Sequence, residues 1–153
     1  MSDFDWVAGA MSTGVPWVRS SGVEFDRVDA TRAVCSLPDR PDLHNHVGGP
    51  HAAMIFGLAE TASGAVGLAA FGATAERATP LVVSSSVRYR ALARGPLTAE
   101  AVLARPAAEV LAELDAGTRP EFTVDVTVRD AAGTDCATVT AVWTLKPVRA
   151  KQD

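Results

Sequence analysis

Residues 44–60, "HNHVGGPHAAMIFGLAE", begin with polar and turn-forming residues and then become almost wholly apolar. The apolar run continues to Phe71, and Glu60 is the one charged residue within it. The prolines and glycines before the run resist any regular element, so they indicate a loop. We therefore predict a loop over residues 39–50 and a helix over residues 51–71, with a carboxylate inside the most apolar helix of the chain.

The small residues of this helix lie on the same face as Glu60. Successive residues of a helix are about 100° apart, which puts Glu60 on one face with Gly57, Ser63, Gly64 and Gly67. The opposite face is apolar and is expected to pack against the core. It consists of Met54, Ile55, Leu58, Ala65, Val66 and Ala69. Each glycine costs a helix about 1 kcal/mol relative to alanine, so the glycines indicate close approach by a backbone, a second subunit or a ligand. Glu60 either forms a structural ion pair or loop contact, or it has a function.

The sequence on both sides of the helix alternates between apolar and polar residues, as strands do. We predict two strands within residues 18–39, strands within residues 80–95 and 96–105, and a hairpin over residues 121–147. Residues 3–11 favour a short helix, and residues 106–120 fit either a short helix or irregular structure. This order predicts a single α+β domain over residues 1–153, with an antiparallel sheet wrapped around one long central helix.

Composition and charge exclude several classes of protein. A net charge of −4 argues against a nucleic-acid partner, since such proteins usually carry a basic face. Cys35 and Cys136 belong to no metal-binding or disulfide pattern, so we expect reduced, buried thiols. Glu60 would be costly at the centre of a bilayer, so we expect no membrane span. The acidic N-terminus does not resemble a signal peptide, and we expect a cytoplasmic protein.

The spacing of Asn45, Gly48, His51 and Glu60 resembles a known motif. Hotdog-fold thioesterases of the phenylacetate-pathway (PaaI-like) type have a loop and helix that read roughly N-x-x-G-x-x-H-G-G and then L-A-D or a Glu variant. This chain has "NHVGGPHAA" and then "LAE" in the same register. Residues 88–101, "RYRALARGPLTAEA", also resemble the strand that follows the helix in that family. The resemblance covers nearly the whole chain and implies a hotdog fold.

The resemblance also implies an activity, the hydrolysis of acyl-CoA or acyl-carrier thioesters without a metal or organic cofactor. Glu60 would be the general base or nucleophile, and the backbone N–H of Ala52 would contact the thioester carbonyl. Asn45 would help to position water or substrate, and His51 would lie beside the thioester. The remaining residues that we expect at the substrate are Gly48, Thr61, Ser63 and Gly64. The chain departs from the family where His-Gly-Gly becomes His51-Ala52-Ala53, because each added methyl narrows the space for the thioester.

Helix geometry predicts that two copies of the chain share the site. A helix N-terminus presents free N–H groups that suit an oxyanion. Glu60 lies nine residues beyond His51, which is about 13 Å along the helix axis and too far for both groups to act on one carbonyl. Two antiparallel central helices would bring Glu60 of one copy to Ala52 of the other. We therefore expect a homodimer, and a dimer of dimers is the alternative assembly.

Three arginines, at positions 88, 90 and 94, lie on or just after the predicted strand that follows the helix. Arg88, Arg90 and Arg94 either bind the phosphates of CoA, which arginine pairs with well, or form a solvated edge. Two functions remain open for the chain as a whole. It is an acyl-CoA or acyl-carrier thioesterase, or it is a non-catalytic hotdog protein that binds acyl-CoA or a similar ligand.

Overall fold

The computed structural model describes residues 3–148, which form a six-stranded sheet and four α-helices. The helices are α1 (Asp5–Gly14), α2 (Pro16–Ser21), α3 (Ala52–Phe71) and α4 (Ala107–Asp115). The strands are β1 (Glu24–Val28), β2 (Arg32–Leu37), β3 (Ala78–Tyr89), β4 (Leu97–Leu103), β5 (Glu121–Arg129) and β6 (Asp135–Pro147). Single 3₁₀ turns lie at Pro41–Leu43 and Gly72–Thr74.

All neighbouring strands pair antiparallel, in the order β1-β2-β4-β5-β6-β3. The two strands that flank α3 in the sequence, β2 and β3, are therefore not neighbours in the sheet. Strand β3 is an edge strand, because β6 is its one partner within residues 3–148. The predicted α+β architecture, an antiparallel sheet around one long helix, is confirmed.

Helix α3 forms the centre of the core. Its first turn is capped by His51, whose Nδ1 accepts a hydrogen bond from the N–H of Ala53 at 2.9 Å. The face predicted to pack against the core is largely buried, with Leu58 and Val66 fully enclosed, while Met54 and Ala69 are half-buried. By length and composition alone, residues 52–74 could cross a membrane, yet the most apolar window of this segment is 56% buried inside the fold.

The N-terminal segment differs from the prediction. The alternation after Val18 suggested a strand, but residues 16–21 form helix α2, and β1 begins only at Glu24. Pro16 occupies the first turn, where its missing N–H costs nothing, and Gly22 ends the helix with φ +79°. These two residues define a short helix more strongly than the alternation defines a strand.

The structure resolves one alternative in the C-terminal part of the chain and confirms one prediction there. Residues 107–115 form α4, so the helical alternative for residues 106–120 is confirmed. The hairpin over residues 121–147 is confirmed as β5 and β6, which turn through residues 130–134. Cys35 and Cys136 are free and buried, as expected.

Tryptophans explain part of the small face of α3. A Cβ added at Gly57 would lie 2.6 Å from the ring of Trp17, and one added at Gly72, just beyond the helix, would lie 2.7 Å from the ring of Trp6. Each ring therefore rests directly on glycine backbone. The close approach that the glycines indicated comes, at Gly57, from a side chain of α2 in the same chain.

Candidate functional site

The loop before α3 is held in shape by Asn45. The Asn45 Oδ1 accepts hydrogen bonds from the N–H groups of Val47 at 3.0 Å and Gly49 at 3.3 Å, and its Nδ2 donates to the Pro50 carbonyl at 3.4 Å. Gly48 has φ +77°, a conformation that favours glycine. The Asn45 amide thus organises the loop that leads into the helix.

A second loop packs tightly against this one. A Cβ at Gly49 would lie 2.7 Å from the Ala93 carbonyl oxygen, so only glycine permits this approach. Between the two loops and the start of α3 lies a cavity of about 220 Å³. Four residues predicted for the site line it: Asn45, Gly48, Ala52 and Arg94. The structure therefore brings the helix N-terminal half of the predicted site together.

The start of α3 offers one free backbone donor to this cavity. The N–H of Ala53 is taken by His51, but within residues 3–148 the N–H of Ala52 donates to no acceptor. The His51 ring is exposed and does not line the cavity. In this chain His51 acts as the helix cap, and the amide of Ala52 remains available to a ligand oxygen.

Tyr89 is a cavity residue that the sequence reasoning missed. Its hydroxyl donates a hydrogen bond to the Ala52 carbonyl at 3.2 Å, and its side chain lines the same cavity while remaining about half exposed. Tyr89 lies near the end of β3, 37 residues from Ala52 in sequence. Alternation along β3 places Tyr89 on the face opposite Arg88, but no sequence pattern indicates that this face meets the helix N-terminus.

Glu60 lies in a different cavity, of about 310 Å³, on the side of α3 that faces β3 and α2. Val15, Trp17, Phe56 and Val82 give this cavity apolar walls. Burial among them raises the pKa of the Glu60 carboxyl above its ordinary value, because the charged form loses hydration.

Within residues 3–148, no hydrogen bond or ion pair is made by the Glu60 carboxylate. The backbone carbonyl of Glu60, by contrast, accepts a hydrogen bond from Ser63 Oγ at 2.7 Å. The structural alternative, in which Glu60 pairs with an arginine or caps a neighbouring loop, therefore finds no support in the described part of the chain. A half-buried carboxylate without a partner is unusual, because burial of an unpaired charge costs free energy.

The three remaining helix residues of the predicted site differ in position. Thr61 is buried and lines the Glu60 cavity. Ser63 is fully buried, and its Oγ accepts a hydrogen bond from Trp143 Nε1 at 3.1 Å. Gly64 packs against the rings and side chains beneath it, since a Cβ there would lie 3.5 Å from Trp143. Thr61 is thus the one that lies beside the carboxylate cavity.

The two halves of the predicted site are separate within one chain. Ala52 and Glu60 line different cavities that have no residue in common. They are eight residues apart on one helix, a distance of about 12 Å along its axis.

The three predicted arginines are also divided between two surfaces. Arg94 lines the helix N-terminal cavity, whereas Arg90 lies on the outer face of the sheet near Glu100 and Asp125, and its Nε donates to Thr138 Oγ1 at 3.3 Å. Strand alternation places Arg88 on the same outer face as Arg90. Within residues 3–148 none of the three forms an ion pair, while six other arginines do: Arg27, Arg32, Arg40, Arg77, Arg105 and Arg129.

Metal-ligating side chains are not clustered in the described residues. Between positions 3 and 148, no group of three or more His, Cys, Asp or Glu side chains is arranged to hold a metal ion.

Comparison with known proteins places this geometry in a family. A domain of unknown function, DUF4442, matches residues 5–145. The chain belongs to the DUF4442 family. No protein of curated function matches it. The family assignment covers both cavities, α3, the first five strands and all but the last two residues of β6.

Solved structures of similar fold cover nearly the whole chain. A Pseudomonas aeruginosa protein of unknown function, named a probable thioesterase, has a TM-score of 0.82 at 22% identity, covering 94% of this chain and 95% of its own. A thioesterase family protein from Silicibacter pomeroyi has a TM-score of 0.75 at 19% identity, covering 95% and 99%. AziG from S. sahachiroi has a TM-score of 0.69 at 26% identity, covering 87% and 98%. The predicted hotdog fold of thioesterase-like proteins is confirmed by these similarities.

Proposed function

We propose that this protein hydrolyses the thioester of an acyl-CoA or acyl-carrier substrate. The observation that carries the proposal is Glu60, a half-buried carboxylate that has no partner within residues 3–148 and opens into an apolar cavity. A structural carboxylate is normally paired when it is buried, because an unpaired charge there destabilises the fold. A raised pKa also brings its basicity closer to neutral pH, where a general base works best.

The proposed chemistry uses Glu60 and the free N–H of Ala52. Glu60 either takes a proton from water as that water attacks the thioester carbon, or attacks the carbon itself. The amide of Ala52 donates to the carbonyl oxygen as negative charge develops on it, aided by the positive end of the α3 dipole. The C–S bond then breaks, and the sulfur leaves as a thiol after it gains a proton, from Glu60 in the general-base route and from water in the nucleophilic route. In the nucleophilic route water then hydrolyses the anhydride between Glu60 and the acyl group, which releases the acid and restores the carboxylate.

This chemistry requires two copies of the chain, and the edge strand β3 supports such an assembly. Leu81, Val82 and Val83 are each more than 40% exposed along an edge with free backbone groups, and Val82 also lines the Glu60 cavity. We propose that a second copy covers this edge with its α3 antiparallel to the first. Glu60 of one copy would then act on a thioester held at Ala52 of the other.

Substrate phosphates are proposed to meet Arg94. Of the three arginines, Arg94 lines the cavity that contains the free amide of Ala52, and it has no ion-pair partner within residues 3–148. Arg90 lies near two carboxylates on the outer face of the sheet, which weakens its suitability for an anion. We also propose that the protein is a thioesterase of the PaaI-like type and that it is cytoplasmic.

Binding of acyl-CoA without hydrolysis is the second candidate function. It is favoured by the start of α3, where methyl groups of Ala52 and Ala53 replace glycine hydrogens and where the exposed His51 ring serves as a cap. Such a protein would bind acyl-CoA and release no thiol.

The two candidate functions are distinguished by assaying wild type and Glu60→Gln with a panel of acyl-CoAs and measuring the free thiol that is released. We expect turnover to fall by about two orders of magnitude or more, the scale of a lost general base, while the fold persists. Glu76→Gln is the matched control, because Glu76 is an exposed carboxylate just beyond the same helix. Equal activity of wild type and Glu60→Gln would exclude the proposed role, and saturable binding without thiol release would favour the second candidate.

A further inference from the structure

Trp17 is held rigidly against the backbone of the central helix. Its ring lies where a side chain at Gly57 would be, 2.6 Å from the position of a Cβ there. The Trp17 carbonyl accepts a hydrogen bond from Ser21 Oγ at 2.7 Å, and Pro16 and Gly22 fix the two ends of α2. The short helix therefore fixes the backbone from which the indole ring projects onto α3.

The indole ring is also a wall of the cavity that contains Glu60. Phe56, Val15 and Val82 supply the other apolar walls, and the polar groups are few: Glu60, Thr61 and Ser85. A cavity of about 310 Å³ with such walls suits an apolar group better than a polar one. Because the ring rests on glycine, its removal would extend the cavity over bare helix backbone at Gly57.

We propose that Trp17 is a specificity-determining residue whose indole ring forms a wall of this cavity and restricts the protein to short acyl groups. The inference rests on the proposed function. Glu60 must act at the thioester carbon, and the acyl chain begins at that same carbon, so its first carbons lie within the cavity that Glu60 lines. The indole ring rests on Gly57, three residues before Glu60 and on the same side of α3, so we expect a long chain that extends in this direction to meet the ring and a short chain to end before it. The sequence offers no local sign of this role, since Trp17 and Gly57 are 40 residues apart.

The test compares butyryl-CoA with lauroyl-CoA in wild type, Trp17→Ala and Trp17→Phe. We expect wild type to favour butyryl-CoA, and we expect the ratio of kcat/KM for lauroyl-CoA over butyryl-CoA to rise at least about tenfold in Trp17→Ala, since each accommodated methylene contributes to binding. Trp17→Phe should lie between the two, and it keeps the test decisive if the alanine variant fails to fold.

Trp6→Ala is the matched control. Trp6 also rests on a glycine, Gly72, at the far end of the same helix, and it lines no wall of the Glu60 cavity. Trp6→Ala also removes an indole ring from the backbone of a glycine. Any general loss of stability that follows from such a removal should therefore affect Trp6→Ala as well. We expect its preference between the two substrates to match that of wild type. An equal change in Trp6→Ala and Trp17→Ala would overturn the proposal.

Binding measurements separate this inference from the proposed function. Non-hydrolysable thioether analogues of butyryl-CoA and lauroyl-CoA can be titrated by calorimetry whether or not the protein is a hydrolase. A shift of affinity toward the longer analogue in Trp17→Ala supports the role of Trp17 even if no thioester is hydrolysed. Unchanged relative affinities in folded Trp17 variants overturn it, even if hydrolysis is observed.

Discussion

The carboxylate of Glu60 is placed where its charge is costly. Burial by apolar neighbours raises the pKa of Glu60 above the ordinary 4.5, and no cation within residues 3–148 offsets the cost. The folded chain therefore holds a proton on Glu60 at pH values where the unfolded chain has released it. Proteins commonly retain such a destabilising group where it has a function.

This arrangement predicts how stability depends on pH. Below about pH 4 Glu60 is protonated in the folded and in the unfolded state, so it does not lower the free energy of unfolding. As pH rises toward the raised pKa, the unfolded state releases the proton more readily than the folded state, and the folded state loses stability. Glu60→Gln removes the titrating group. Between pH 4 and pH 8, we expect its free energy of unfolding, relative to wild type, to increase from the ordinary pKa of 4.5 up to the raised pKa of Glu60 and then to stay constant. Urea unfolding at fixed protein concentration measures this, and a difference that stays constant over that range would contradict it.

The role of His51 illustrates what a motif does and does not predict. The spacing of Asn45, Gly48 and His51 correctly indicated a loop that leads into a helix N-terminus. Which atoms face the ligand depends on hydrogen bonds that the motif leaves open. Here Asn45 bonds within its own loop and His51 bonds the Ala53 amide, so the free donor is the N–H of Ala52.

At the scale of single elements, the glycines of α3 serve different purposes. Gly57 is required because Trp17 occupies the space beside it, whereas Gly64 has ordinary contact distances of 3.5 Å or more to its neighbours. No pattern in the sequence distinguishes Gly57 from Gly64, because both are glycines within the same apolar helix. The difference arises from α2, which the sequence analysis assigned to a strand, and so it could not be predicted.

Alanine substitution distinguishes the two glycines. Gly64→Ala should leave stability unchanged or raise it by up to about 1 kcal/mol, the gain in helix propensity. Gly57→Ala places a methyl group against the Trp17 ring, and such overpacking costs about 1–3 kcal/mol, which offsets or exceeds that gain. We therefore expect Gly57→Ala to be the less stable variant by at least about 1 kcal/mol. Denaturant unfolding of both variants measures the difference, and equal stability would show that the ring moves aside freely.

At the scale of the whole molecule, the sequence predicted the list of elements better than their arrangement. Alternation and turn residues identified the six strands and their order along the chain. The order within the sheet, with β3 beside β6 at the edge, depends on pairings between distant segments and has no local signal. The exposed apolar edge at Leu81, Val82 and Val83, and its proximity to Glu60, became visible only from that arrangement.

The separation of the two half-sites, in contrast, follows from helix geometry alone. A rise of about 1.5 Å per residue keeps Ala52 and Glu60 apart whatever the rest of the fold does. The structure agrees, since the two residues line different cavities. The account therefore depends on one central claim, that a complete site is assembled from Glu60 of one copy and Ala52 of another.

The most direct test of this claim is complementation between two inactive variants. Glu60→Gln removes the carboxylate. Ala52→Pro removes the free N–H at the first helical position, where proline is well tolerated, and the extended conformation of His51 suits a residue before proline. Ala52→Ser adds a side-chain atom but keeps the N–H, and serves as the control.

Each of the two variants alone should be nearly inactive, while Ala52→Ser should retain activity. Refolded together in equal amounts, the two should regain about one quarter of wild-type activity, because half of the dimers are mixed and each mixed dimer has one intact site of two. A site formed within a single chain would give no recovery, because every copy would lack one of the two groups. No activity above the sum of the separate variants, in a mixture that size-exclusion chromatography shows to be dimeric, would contradict the shared site.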